Sequence, residues 1–111
     1  MVIEFPRGDT YQKGFVLKQN GETVTDSFSE IYFTVKENYQ ETAFVFQKKM
    51  SSSGITDDGD GHYTLNIYPS DTNGLAFGEY DCDFEFVGTG YKKTFAGVLK
   101  LTKEVTHYAN E

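Results

Sequence analysis

The chain has 111 residues with ten Phe, eight Tyr, no Trp and one Cys, and its seventeen acidic against ten basic side chains give a formal charge of −7. That length is one domain able to bury a real core, and a single Cys excludes an internal disulfide. The acidic balance argues against the basic face that nucleic-acid or anionic-membrane binding needs. No apolar run approaches membrane-spanning length, and residues 1–7 hold no apolar core followed by a small-residue cleavage site, so the expectation is a soluble protein made in a reducing cytoplasm.

Residues 2–5 read as a short edge strand that Pro6 ends. Arg7-Gly8-Asp9-Thr10 is a turn; Arg-Gly-Asp is also an integrin-ligand tripeptide, but three common residues recur by chance and Gly-Asp after a strand is ordinary turn chemistry. Residues 11–18 alternate Tyr11, Lys13, Phe15 and Leu17 against Gln12, Gly14, Val16 and Lys18, a second strand on whose apolar face Lys13 is expected to snorkel. Asn20-Gly21 supplies a tight turn before a short extended piece at 22–25. Asp26-Ser27-Phe28-Ser29 turns into a third strand at 31–36 with Ile31, Phe33 and Val35 on one side. A polar connection leads to a fourth strand at 43–49, whose Phe44 and Phe46 point one way and whose basic end marks an edge. Asp57-Asp58-Gly59-Asp60-Gly61 forms an acidic glycine turn into a fifth strand with Tyr63, Leu65 and Ile67 inward. Tyr68-Pro69-Ser70 breaks that strand.

The stretch from Asp71 to Phe86 organises the rest. Tyr80, Cys82, Phe84 and Phe86 alternate with Asp81, Asp83 and Glu85, giving a strand with one core face and one acidic solvent face. Before it, Leu75-x-x-Gly78-x-Tyr80 resembles the tyrosine corner of immunoglobulin-like sandwiches, with Tyr80 two residues before Cys82. In that reading Leu75 plugs the sandwich end, Gly78 permits a tight backbone approach and the Tyr80 hydroxyl finds a carbonyl. Gly88-Thr89-Gly90 then turns into a last strand at 91–101, and residues 102–111 form an aperiodic arm. Seven strands with frequent turn signals and no helix longer than a turn predict an all-β, immunoglobulin-like antiparallel β-sandwich over 1–101.

No pattern for catalysis emerges. Asp57, Asp58 and Asp60 are hard oxygen donors at close spacing, as calcium prefers, but they lack the twelve-residue EF-hand frame, and an acidic solvated hairpin explains them as well. His62 and His107 have no partners at zinc spacing, and Cys82 on an apolar face is a small hydrophobe. The expectation is a non-enzymatic protein with no cofactor.

The order Arg7-Gly8-Asp9-Thr10-Tyr11, Asn20-Gly21-Glu22-Thr23-Val24, Ile31 to Lys36, Gly61-His62-Tyr63-Thr64-Leu65, Asp71-Thr72 to Leu75, Gly78-Glu79-Tyr80-Asp81-Cys82-Asp83-Phe84 and Gly97 to Leu101 resembles the immunoglobulin-like N-terminal domain of phage baseplate upper proteins and related small virion proteins. Cys82 stands where that family often has Tyr, and Phe84 where it often has Ile. The resemblance implies a structural component of a phage or prophage particle, a baseplate, tail-associated or head-decoration module. Synthesis in the bacterial cytoplasm, partners among other virion proteins, and a homo-oligomer within the particle follow from it. Larger members carry further domains after this module, so a chain of this length points away from a receptor-binding role and toward a standalone adaptor, decoration or tail-associated module. Assembly would use an exposed edge, at 43–49 with Phe44 and Phe46 or at 2–5, and the arm with Val105 and Tyr108. Two rival readings are a host-surface glycan-binding adhesion module, stacking sugars on Tyr32, Tyr39 and Tyr68, and an acidic inhibitor of a host nucleic-acid-binding protein.

Overall fold

The computed structural model describes residues 1–103 and is built almost wholly from strands. In chain order they are β1 (Val2–Pro6), β2 (Tyr11–Val16), the two-residue pair β3 (Lys18–Gln19) and β4 (Glu22–Thr23), β5 (Glu30–Lys36), β6 (Phe46–Lys49), β7 (Ile55–Gly59), β8 (His62–Ile67), β9 (Gly78–Gly88) and β10 (Tyr91–Thr102). A 3₁₀ turn at Met50–Ser52 and a single helical turn, α1 (Pro69–Thr72), complete the described elements.

Five strands form one sheet in the order β1-β10-β9-β5-β6, and three form the other in the order β2-β8-β7. The sheets face each other as an all-β sandwich with the immunoglobulin-like arrangement. Alternation decides which side chains fill the space between them. On β5, Ile31, Phe33 and Val35 are fully buried, and on β9 the inward set is Tyr80, Cys82, Phe84 and Phe86. From the opposite sheet Ile55, Tyr63, Leu65 and Ile67 close the core. A ring contact joins the layers, with Phe84 lying 4.7 Å from Phe15 of the opposite sheet, and Phe84 also lies 4.8 Å from Phe33 within its own sheet. Each such buried side chain contributes roughly 1.5–3 kcal/mol before conformational entropy is subtracted.

Several expectations need correction. The acidic stretch is not a loop: residues 55–59 are β7, paired antiparallel with β8, one strand more among the described residues than the seven read from the sequence. Pairing is not wholly antiparallel, because β1 lies parallel to β10 with Val2 beside Val98. The fourth strand is shorter than 43–49, starting only at Phe46, and Phe44 is half exposed while Phe46 is buried, so the two do not share a face. The row Asp81, Asp83 and Glu85 is half-buried, hemmed by the outward side chains of β5 and β10, not a fully solvated face. β10 continues one residue past 101, and the expected arm contacts Val105 and Tyr108 lie outside the described residues.

Candidate interaction groove

The tyrosine corner is built from two stretches remote in sequence, residues 7–8 and 71–80. The Tyr80 hydroxyl donates to the Ala76 carbonyl at 2.7 Å, and its ring is buried. Leu75 is half-buried against the core. Gly78 has φ +129, which disfavours any side chain, yet a Cβ there would meet nothing within 4 Å. Glycine therefore serves the backbone turn into β9 and not the close approach expected of it. Arg7 donates to the Leu75 carbonyl at 3.2 Å with its guanidinium 4.2 Å above the Phe77 ring, and the Gly8 N–H donates to the fully buried Thr72 hydroxyl at 2.8 Å. Arg7-Gly8 and Asp71 to Leu75, remote in sequence, are thus one structural unit. Arg7 is committed to the fold, which removes it from an integrin-type display.

The three acidic candidates do not converge. Asp57 accepts from the Gly59 N–H at 2.9 Å, and Asp58 accepts from the Thr64 hydroxyl at 2.6 Å, both stabilising the β7–β8 hairpin around its bulge. Asp60 occupies the turn with φ +53. Among the described residues no group of three His, Cys, Asp or Glu side chains is placed to hold a metal ion.

Electrostatics elsewhere describe a packed scaffold. Burial, with Asp83 beside it, pushes the Cys82 thiol up to about 12, so the sulfur stays protonated and unreactive. Burial and the neighbouring Glu85 raise Asp83, while Lys36 and Lys92 pull it back. Burial pushes Glu30 upward, but its hydrogen bonds, chiefly from Ser51 and Ile31, outweigh that and hold the carboxyl below its ordinary value. Lys48, on the inward face of β6 opposite Phe33, reaches Asp71 of α1 at 2.5 Å and lies 5.3 Å from the Tyr68 ring. Sequence reading missed this pair, and also buried Asn66, which bonds Gln12 and Thr56 at 2.9 Å each. Its only signal was a polar residue between Leu65 and Ile67.

What stays open is the side of the sandwich between β2 and β10. β1 covers β10 only from Val98 to Thr102, so among the described residues nothing pairs with the outer edge of β10 from 91 to 97. Behind that edge runs a cleft of about 420 Å³ floored by Met1, Phe15, Phe84, Phe86 and Phe95, continuous with one of about 210 Å³ toward Tyr11 and Leu65. Met1 and Phe95 remain 49% and 39% exposed, a large apolar opening for a chain this polar. Lysines border it. Lys13 points inward opposite Leu65, Lys93 inward opposite Phe86, and Lys18 lies at the mouth. Gly97 belongs to the same wall, because a Cβ there would come within 2.6 Å of the Met1 carbonyl oxygen and side chain.

Two other hollows are less suited to a ligand of defined chemistry. One of about 450 Å³ lies among turns near Phe28 and Tyr91, with Asp26 its one carboxylate. The other, about 210 Å³, lies on the outer sheet face between Tyr39, Asp81 and Asp83.

No family model matches the chain, and no curated protein matches it at a significant level. Among solved structures it is similar to the endo-β-1,4-mannanase from Thermotoga petrophila, with TM-score 0.57 and 16% identity over 92% of this chain and 18% of that one. At that identity the likeness shows the fold alone. This chain spans under a fifth of the mannanase, and no helix among its described residues is long and apolar enough to cross a membrane.

Proposed function

We propose that this protein is a non-enzymatic structural component of a phage or prophage particle, a baseplate, tail-associated or head-decoration module that works by protein–protein assembly. The observation that carries the assembly reading is the unpaired outer edge of β10 over an aromatic groove, where an extended segment would gain main-chain hydrogen bonds and side-chain burial together. The sequence resemblance to small virion proteins supplies the setting: synthesis in the bacterial cytoplasm, incorporation in the virion, and other virion proteins or further copies as partners. Neither cofactor nor metal enters the reading. The test is sedimentation of lysates from an induced lysogen expressing a tagged copy. The protein is expected to travel with particles in fixed proportion, and Phe15→Glu to leave it in the supernatant while still folded by circular dichroism. A parent protein found only in the supernatant refutes the assignment.

One observation favours a second reading, glycan adhesion. Tyr39 is 76% exposed beside Asp81 and Asp83, an aromatic face next to carboxylates of the kind that holds a sugar. The three tyrosines do not form one platform, since Tyr32 lies near Lys49 and Tyr68 near Lys48, on opposite faces of β6. Calorimetry with β-1,4-manno-oligosaccharides, the polymer type named for the mannanase, tests it; heat lost in Tyr39→Ala favours adhesion. The inhibitor reading has weaker support, because the acidic row is half-buried and Glu85 faces Lys92 at 3.7 Å.

A further inference from the structure

Building on the assembly reading above, we propose that residues 104–111 of one copy dock as an added strand on the β10 edge of the next copy, across the Phe15–Phe95 groove, joining subunits head to tail.

Backbone geometry defines the receptor. The Val98 N–H points outward to the Met1 carbonyl at 3.0 Å. By strand alternation the N–H and C=O groups of Ala96, Thr94 and Lys92 point to the same side, where no strand of the described residues lies. Phe95 and Lys93 alternate with them on the inner face, so an added strand would lie against the groove.

Charge and composition select the occupant. Lys13, Lys18 and Lys93 form no ion pair with another described residue, and they rim an apolar floor on a chain of net charge −7. A second β10 edge would bring another lysine, Lys93, onto that rim. Residues 104–111, Glu-Val-Thr-His-Tyr-Ala-Asn-Glu, bring two carboxylates and no Lys or Arg. Val105, Thr106 and Tyr108 are strand-forming types, and Val105 and Tyr108 supply apolar surface.

Reach makes the contact intermolecular. The described chain leaves at the far end of β10, where the Thr102 carbonyl accepts from the Arg7 N–H and Lys103 lies 5.9 Å from the Phe77 ring. Along β10 from there back to Phe95 is about 26 Å at strand rise. Residues 104–111 reach at most about 29 Å from Lys103, so they arrive at Phe95 only at full stretch and cannot themselves pair along the groove of their own copy, and β1 stands in the way. A neighbour's groove has no such limit. Because tail and groove are different patches, the contact is heterologous and builds a ring or a filament.

The experiment is light scattering on the full chain and two variants across a concentration series. One variant ends at Lys103. The other is Thr94→Pro, which deletes an outward N–H without taking one from the β9 ladder; Phe95→Glu repeats the test if Thr94→Pro unfolds. The full chain is expected to grow in steps of its 12.6 kDa mass, and each variant alone to stay monomeric. Mixed, the truncated copy offers a groove and the Thr94→Pro copy a tail, so they should form a one-to-one pair and nothing larger. A full chain monomeric throughout, oligomers surviving truncation, or no pairing in the mixture each overturn the proposal. Particle incorporation of a chain that is monomeric alone would leave the assembly reading standing while removing this one.

Discussion

Replacing Tyr80 by Phe removes one oxygen from the corner between α1 and β9 and leaves its ring in place. The hydroxyl donates to the Ala76 carbonyl at 2.7 Å, and burial, followed by the charge of Glu37, raises its pKa, so it stays a donor at any working pH. A neutral hydrogen bond contributes about 1 kcal/mol net, more if its loss strands a buried partner. Ala76 is exposed, so water takes over its carbonyl and the loss should stay near 1 kcal/mol. For a domain of this size that is about 4–8 °C in Tm. Tyr80→Ala also deletes a buried ring, and aromatic truncations in cores cost about 3–5 kcal/mol. Urea unfolding followed by circular dichroism measures both, with equal m values expected. If Tyr80→Phe matches the parent within about 0.3 kcal/mol while Tyr80→Ala falls by the full amount, Tyr80 is a packing plug and the corner argument fails.

Cys82 should resist thiol reagents at pH 8 in native protein and label only as the chain unfolds through a urea series; rapid native labelling would contradict a thiol pushed up to about 12. Asp83 carries a raised folded pKa, so as pH rises through the window between its unfolded and folded values the unfolded chain releases its proton first and stability is lost. Asp83→Asn should therefore gain a few tenths of a kcal/mol at pH 7 and nothing below the ordinary carboxylate value of about 3.9, and a gain that persists in acid would assign the effect to packing. The pair Lys48–Asp71, whose side chains are 13% and 19% exposed, should show coupling of about 1 kcal/mol or more in a double-mutant cycle with Lys48→Met and Asp71→Asn; additive losses would mean the contact contributes nothing.

The alternating strands were legible because a two-residue period leaves its imprint directly on composition. β5, β8 and β9 follow it without a break, and their inward residues are the core. β7 was illegible for a physical reason. It is an outer strand whose Asp57 and Asp58 bond within the hairpin, so apart from Ile55 it carries no apolar mark, and its glycines suggest a loop. Phe44 misled in the opposite direction, because an aromatic two residues before a buried one imitates a strand although the backbone has not yet entered the sheet. The parallel pairing of β1 with β10 joins the two ends of the chain, and no local pattern encodes a contact of that separation. The groove shares that property. Phe15 and Phe84 read as core, and only the topology shows that the opposing sheet is too narrow to cover them together with Phe95.

Apart from β2, whose free edge borders the same groove, the strand edges of the described residues differ as templates for an added strand. β6 is four residues long and turns Lys48 inward to Asp71, which leaves a poor template for another strand. β7 carries a bulge and adjacent carboxylates, and both resist pairing. β1 is short and stopped by Pro6. β10 alone extends well past its neighbour, with three residues offering both main-chain groups above an aromatic floor, and there the lysines gather while the carboxylates crowd the outer face and the β7 hairpin. A long open edge invites indiscriminate aggregation unless something limits its partners. Lys93 on the edge, with Lys13 and Lys18 across the cleft, penalises a second copy of the same edge and favours an acidic strand. An edge that disfavours its own kind and favours a segment of opposite charge is what the proposed head-to-tail growth requires.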